Sequence, residues 1–181
     1  RVHNQIIHSV FSQSTNTGIL EYPNNYLIGQ DYLDAYLGKN LVSASEIEEK
    51  CKSLKSIHTY LVSRNKALVM IIAPDKTSYF SERFNLPPYS EVDSTNYKTW
   101  LYFLDKYQVP YVDFRETFVA AKDTTRYPLF SVSGIHWTHY GMHYAMDSLA
   151  GFVNTLPGFA LPRMQTNGVR TSTTYQPIEY D

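Results

Sequence analysis

The sequence predicts an α/β fold of three layers, with helices on both faces of a mostly parallel sheet. The run at residues 67–73 is apolar throughout and does not alternate, which is typical of a parallel strand covered on both faces. A second short strand is predicted at residues 109–114, and amphipathic helices lie before and after it. Strand and helix therefore alternate along the chain, which favours a parallel sheet.

The first elements precede the apolar strand. Residues 1–30 show no helical period, and a Pro-Asn-Asn turn signal at residues 23–25 separates two short predicted strands. A short helix follows and ends at Gly38, a typical residue at a helix C-terminus. A capping-box pattern beginning at Ser43 predicts the first long helix. The apolar stripe of that helix contains Cys51, so we expect a buried and unreactive thiol.

Three more helices are predicted after the apolar strand. One runs to Tyr107 from its N-cap, Ser94. A short one covers residues 115–122, and the last begins after its N-cap, Thr138. Beyond them Pro, Gly, Thr and Asn interrupt every period. We therefore divide the chain into an N-terminal extension with the first strands (residues 1–30), an α/β core (residues 31–156) and a loop-like C-terminal tail (residues 157–181).

Length and composition restrict the class of protein. The chain has 181 residues, 43% hydrophobic and 18% charged, which suits one folded domain and not a disordered segment. A net charge of −1 gives no electrostatic reason to expect nucleic acid or an anionic membrane as partner. One cysteine excludes an intrachain disulfide and a Cys-rich zinc site, and no cofactor is predicted. No apolar run reaches the roughly 20 residues of a membrane span.

Tyrosine is unusually frequent, with 16 residues in a chain that is 15% aromatic. A tyrosine ring is flat and amphipathic, so this density suits stacking on sugars or a protein contact. The alternative is that tyrosine fills half-buried positions.

The densest candidate motif lies directly before the last helix. Ligands of open α/β sheets bind at the carboxyl ends of the strands, where the segments after Ala73 and after Phe114 should meet. His136 can reach out of this crevice as a general base, braced by Trp137. The alternative for His136 is a structural histidine that packs beside an aromatic ring.

His139 and His143 stand four residues apart on the last helix, which is a metal-ligand spacing. No acidic residue completes a recognisable metal motif, and such a pair is usually solvated. No metal site is predicted.

Four segments, in order, resemble the AlgJ/AlgX (DHHW) type of SGNH-hydrolase-like proteins, which O-acetylate extracellular polysaccharide. The resemblance extends over roughly residues 26–153 and implies an SGNH-hydrolase-like, flavodoxin-like fold that is present in part. The segments are Tyr-Leu-Ile-Gly-Gln-Asp-Tyr-Leu at residues 26–33, Ile-Ala-Pro-Asp-Lys at 72–76, Tyr-Val-Asp-Phe at 111–114, and Gly-Ile-His-Trp-Thr at 134–138.

The resemblance implies that His136 is the general base of a Ser-His-Asp triad. The family's orienting aspartate would stand two residues earlier, where this chain has Gly134. A missing triad aspartate typically costs orders of magnitude in rate. Three outcomes are open: another acid substitutes, a Ser-His dyad operates, or the activity is lost. The candidate acids are Asp113, Asp123 and Asp75.

The nucleophile is the second departure from the family pattern. The family's serine lies in a Gly-Asp/Thr-Ser segment well after the His-Trp motif, and this sequence contains no such segment. We therefore interpret the chain as the N-terminal part of a larger ectodomain, and we expect it alone not to hydrolyse acetyl esters. The candidate substitute nucleophiles are Ser131, Ser133, Ser78 and Ser81, and none of them stands in a nucleophile-elbow motif.

The leading hypothesis is an acyltransferase or esterase that acts on a cell-envelope or secreted glycan. We expect a periplasmic or extracellular location, an anchor outside this sequence, and a membrane-bound O-acyltransferase as acyl donor. The residues expected to line the site are Lys76, Trp137, Thr138 and Ser133. The competing hypothesis is a glycan-binding module that has lost the triad. A plain flavodoxin-like binding protein is less favoured, because no Gly-rich phosphate loop follows the first strand.

Overall fold

A computed structural model of the chain describes residues 18–132 and 134–168. Most of the predicted N-terminal extension and the end of the C-terminal tail lie outside these residues. The strands are β1 (Ile19–Tyr22), β2 (Tyr26–Gly29), β3 (Met70–Ile72) and β4 (Tyr111–Asp113). The α-helices are α1 (Gln30–Tyr36), α2 (Ala44–Val62), α3 (Lys76–Tyr79), α4 (Asn96–Lys106), α5 (Phe114–Ala121) and α6 (His139–Val153). Short 3₁₀ turns occupy Pro23–Asn25, Ser81–Phe84 and Tyr89–Glu91.

Two small sheets organise the strands. β1 and β2 form an antiparallel hairpin around the predicted Pro-Asn-Asn turn, where Asn24 adopts a left-handed φ of 63°. β3 and β4 are parallel, with Met70 opposite Tyr111 and Ile72 opposite Asp113. The helix α4 lies between them in the chain, as a parallel crossover requires. The predicted α/β class is confirmed.

The apolar strand is shorter and less covered than its sequence predicts. β3 spans Met70–Ile72 instead of residues 67–73, and the side chain of Ile71 is 45% exposed. Met70 and Ile72 pack on the opposite face, against the cluster that joins α2 to α4. The prediction that both faces are covered is therefore wrong at Ile71. A continuous apolar run shows that each residue is hydrophobic, but not that each has a neighbour to pack on.

The buried side chains form two clusters. The smaller one joins α2, α4 and Val109, and Cys51 is fully buried in it, as predicted. Burial also raises the pKa of the Cys51 thiol, which disfavours the reactive thiolate. The larger cluster packs β2, α3 and α5 against Leu129, Phe130 and α6. This second cluster supports the segment that carries the candidate motif.

The helix ends follow the capping rules with one correction. Ser43 accepts a hydrogen bond from the Glu46 amide at 3.2 Å and begins α2 as predicted. The N-cap of α4 is Thr95, which accepts from the Lys98 amide at 3.2 Å, and not its neighbour Ser94. Both residue types cap helices, so the pattern alone did not separate them.

Gly38 follows α1 with a left-handed φ of 67°. A Cβ atom at this position would overlap the carbonyl oxygen of Ser94, so the close approach of the two segments also requires glycine. Within residues 18–132 and 134–168, no helix combines the length and the apolar character needed to cross a membrane.

Candidate active site

The candidate histidine stands at the end of a loop that is closed at its base. Phe130 and Trp137 form an antiparallel bridge, and the Thr138 amide donates to the Leu129 carbonyl at 2.9 Å. We call the residues between the bridge partners the 131–136 loop. Ser133, one of the residues predicted to line the site, lies outside the described residues. The imidazole of His136 is exposed to solvent, as a general base in an open site must be.

Contacts at the start of α6 explain which residues follow His136 in the sequence. The hydroxyl of Thr138 accepts from the Gly141 amide at 2.9 Å, which confirms Thr138 as the N-cap of α6. The same hydroxyl donates to the Pro128 carbonyl at 2.8 Å. A Cβ atom at Gly141 would overlap the Leu129 carbonyl, so this first turn of α6 needs a glycine. The spacing of threonine and glycine after His136 therefore serves the docking of α6.

Trp137 connects the loop to the end of β3. Its indole Nε1–H donates to the Pro74 carbonyl at 3.2 Å. The ring packs edge-to-face on Phe114 with centroids 6.0 Å apart, and at 5.0 Å on Phe118. Trp137 thus joins the Pro-Asp-Lys segment and helix α5 to the residue next to His136.

Lys76 makes the second connection between the two segments. Its side chain is only 2% exposed, and its ammonium lies 5.6 Å from the Tyr26 ring centroid. Nζ donates to the carbonyl of Val132 and, at 3.1 Å, to the carbonyl of Gly134. Burial lowers the pKa of Lys76 to about 8. The Lys76 ammonium is therefore hydrogen-bonded to the backbone of the loop that carries His136.

Gly134 stands where the resemblance predicts the family's orienting aspartate. The Gly134 amide donates to the Ser131 hydroxyl at 2.9 Å, and a Cβ at position 134 would lie 2.6 Å from that same oxygen. The Ser131 hydroxyl thus stands where an aspartate side chain would begin. Ser131 has a structural role in the loop, and nothing in its contacts marks it as a nucleophile.

Asp113 and Asp75 lie at the carboxyl ends of the two parallel strands, but each caps a helix. Asp113 Oδ1 accepts from the Arg115 amide at 2.9 Å, and its Oδ2 accepts from the hydroxyl of Tyr97. Asp75 Oδ1 accepts from the Ser78 amide at 2.9 Å. Helix capping therefore already uses both carboxylates.

Asp123 lies apart from these two. It follows the eight-residue helix α5, roughly 12 Å of helix beyond Asp113, and its side chain is exposed. Ser78, one of the candidate substitute nucleophiles, is buried in α3, and its hydroxyl donates to the Asp75 carbonyl at 2.9 Å.

A cavity of about 170 Å³ opens where β3 ends, and its residues were largely missed by sequence reasoning. The Arg115 guanidinium lies 3.9 Å from the Tyr89 ring centroid and 5.1 Å from that of Tyr97. Burial and the neighbouring Asp113 raise the pKa of Tyr97. Arg115 could have been found, because it comes directly after the strand predicted at residues 109–114. The tyrosines could not, because they come from distant segments. The other lining residues include Tyr36, Pro74, Asp75 and Trp100.

The helix face with the histidine pair shows no metal arrangement. His143 Nε2 lies 2.7 Å from the Thr166 hydroxyl, and His139 is exposed. No group of histidine, cysteine or acidic residues in the described part of the chain is arranged to hold a metal ion.

The parallel strands β3 and β4, with helices around them and a histidine-bearing loop before the last helix, fit an α/β domain of the SGNH-hydrolase-like class. The family model described as "SGNH hydrolase-like domain, acetyltransferase AlgX" matches residues 32–177. The chain therefore belongs to this family.

Two solved structures share the fold. The O-acetyltransferase domain of Pseudomonas putida AlgJ superposes with a TM-score of 0.55 at 20% identity, over 76% of this chain and 48% of that one. Pseudomonas aeruginosa AlgX superposes with a TM-score of 0.52 at 16% identity, over 77% of this chain and 33% of that one. The chain thus spans about half or less of these proteins. No curated protein sequence matches it significantly.

Proposed function

We propose that this chain carries the histidine part of an O-acetyltransferase that acts on a glycan of the cell envelope or a secreted glycan. One observation carries the proposal: His136 is solvent-exposed on a loop joined to the end of β3 through Lys76 and Trp137. Family membership supports acetyl transfer as the reaction. The proposal includes a periplasmic or extracellular location and a membrane-bound O-acyltransferase as the acyl donor.

The proposed reaction has two steps, and the histidine acts in both. His136 removes the proton from a serine hydroxyl as that oxygen attacks the acetyl carbonyl of the donor, and it then protonates the leaving group. In the second step His136 removes the proton from a sugar hydroxyl, which attacks the serine ester, and returns it to the serine oxygen. The serine is one that this sequence does not identify.

The cavity at the end of β3 is the proposed place for the acceptor sugar. Its walls include Tyr89, Tyr97 and Trp100, and aromatic faces of this kind stack on sugar rings. Arg115 also lines the cavity, and its guanidinium is a donor group of the kind that binds sugar oxygens.

The second candidate function is a glycan-binding module without catalysis. Gly134 favours it, because a glycine offers no carboxylate to orient the imidazole and the Ser131 hydroxyl fills the space. Both functions would bind a glycan in the cavity at the end of β3, but only the acetyltransferase would turn over an ester.

The protein at its full natural length, incubated with 4-nitrophenyl acetate and a soluble polysaccharide, distinguishes the two functions. Transfer of acetyl to the polysaccharide supports the proposal. Binding of the polysaccharide with no ester turnover supports the module, and neither binding nor turnover contradicts both.

Introducing the family's aspartate is expected to destabilise the loop through Ser131. Gly134→Asp should lower the free energy of unfolding by about 1 to 2 kcal/mol, because the Ser131 hydroxyl must rotate away and leave the amide at position 134 unpaired. In a protein that already carries Ser131→Ala, Gly134→Asp should lower the free energy of unfolding by clearly less. Urea denaturation of the four variants measures the coupling. Equal costs in the two backgrounds would show that Ser131 is not the obstacle.

A further inference from the structure

A buried ammonium stands at the centre of the 131–136 loop, and the reaction scheme does not use it. Lys76 is 2% exposed, and desolvation alone accounts for the lowering of its pKa. In the described part of the chain, Nζ has two backbone carbonyls and the Tyr26 ring as its partners. The positive charge of Lys76 is thus balanced by two backbone carbonyls and an aromatic ring, and not by a carboxylate.

We propose that Lys76 is a positioning residue for His136, because its ammonium holds the backbone of the 131–136 loop from the inside. The catalytic part of this inference rests on the proposed function, whereas the part that concerns the loop does not.

The contacts of the loop support this role. The carbonyls that Lys76 binds belong to Val132 and Gly134, and Gly134 is two residues before His136. Val132 also accepts from the Leu27 amide of β2 at 3.4 Å, so the same carbonyl is held from a second side. A hydrogen bond from a charged donor is about twice as strong as a neutral one. The ammonium therefore binds the loop backbone more strongly than the neutral Leu27 amide does.

The helix that carries Lys76 is itself buried and capped. Thr77, Ser78 and Tyr79 of α3 are all buried, and the Asp75 carboxylate caps this helix. Burying an ammonium opposes folding unless hydrogen bonds compensate, so an apolar residue would suit a purely packing role better. Lysine at this position is explained by the two carbonyls, because an apolar side chain would take the charged donor from Gly134 and leave Val132 with the long bond from Leu27.

Three variants test the inference. Lys76→Met removes the ammonium and keeps an unbranched side chain, and Lys76→Arg keeps a charge with a different geometry. Lys122→Met is the matched control, because Lys122 also binds a carbonyl of α3, that of Tyr79 at 2.6 Å, but its other partner is Glu82. Each variant is made in the protein at its full natural length.

The first measurement is amide hydrogen exchange of Gly134, whose amide donates to the Ser131 hydroxyl within the loop. Lys76→Met should speed exchange about tenfold or more, as expected when hydrogen bonds to a charged donor are lost. Lys122→Met should leave the exchange within about twofold. Unchanged exchange in Lys76→Met, or the same increase in Lys122→Met, would overturn the inference.

The second measurement separates positioning from stability. In the acetyl-transfer assay Lys76→Met should lower kcat about tenfold with KM changed less than about twofold, with partial recovery in Lys76→Arg. If the native protein does not transfer acetyl, the proposed function fails, and the exchange data alone decide whether Lys76 holds the loop.

If Lys76→Met does not fold, the native protein still gives an answer. Among the described residues, Tyr26 contacts the ammonium, and the Arg83 guanidinium lies 5.3 Å from the same Tyr26 ring centroid. NMR measures the ¹³C chemical shift of Lys76 Cε as a function of pH and so follows the titration of this side chain. The carbonyl ¹³C chemical shifts of Val132 and Gly134 should change over the same pH range. Carbonyl shifts that do not move with it would contradict the inference.

Discussion

Replacing His136 with glutamine is expected to lower the rate of acetyl transfer about 10²- to 10⁴-fold, the usual contribution of a general base. Glutamine can still form hydrogen bonds, but it cannot take the proton from a serine or sugar hydroxyl. Because the imidazole is exposed, the free energy of unfolding should change by less than about 0.5 kcal/mol. The loss would therefore be one of chemistry, measured as kcat/KM for acetyl transfer by the protein at its full natural length.

The chain offers a close control for this experiment. His139 is also exposed and lies three residues further on, at the start of α6. His139→Gln should keep the native rate. If both variants transfer acetyl as fast as the native protein, His136 is not the base, and another residue must take the proton.

Replacing Trp137 with alanine is expected to lower the free energy of unfolding by about 3 kcal/mol, near the lower end for the loss of a large aromatic side chain. The indole packs on Phe114 and Phe118 and donates to the Pro74 carbonyl, so its removal opens a cavity and leaves a carbonyl unpaired. The effect is a large fraction of the 5 to 15 kcal/mol that stabilise a typical domain. Urea denaturation followed by far-UV circular dichroism measures it.

Trp137→Phe separates the two contributions. Phenylalanine keeps most of the ring contacts but has no N–H for Pro74, so this variant should lose only about 1 to 1.5 kcal/mol. An alanine variant as stable as the phenylalanine variant would mean that the ring contributes little, and that the bond to Pro74 carries the connection.

The sequence was most informative where local rules act. The Thr138 cap, the turn at residues 23–25 and the burial of Cys51 were each predicted correctly, because each depends on neighbours within a few residues. The α/β class followed from the alternation of strand and helix, and the resemblance named the family that the family model then confirmed.

Contacts between distant segments set the limit of these predictions. Nothing in the spacing indicated that Arg115 packs on Tyr89, or that the Ser131 hydroxyl fills the space beside Gly134. The exposure of Ile71 was missed for the same reason, since coverage depends on which elements lie over the sheet. The roles of His136 and of the site-lining residues stay predictions.

The way the 131–136 loop is held also limits how it can evolve. A bridge at its base, the Leu27 amide and the Lys76 ammonium fix the loop at several points along its length. An inserted or deleted residue would move His136 relative to all of these points at once. Substitutions of the exposed Val132 and Ile135 side chains leave them unchanged. Homologous chains should therefore keep the number of residues in this loop while its outward-facing side chains vary.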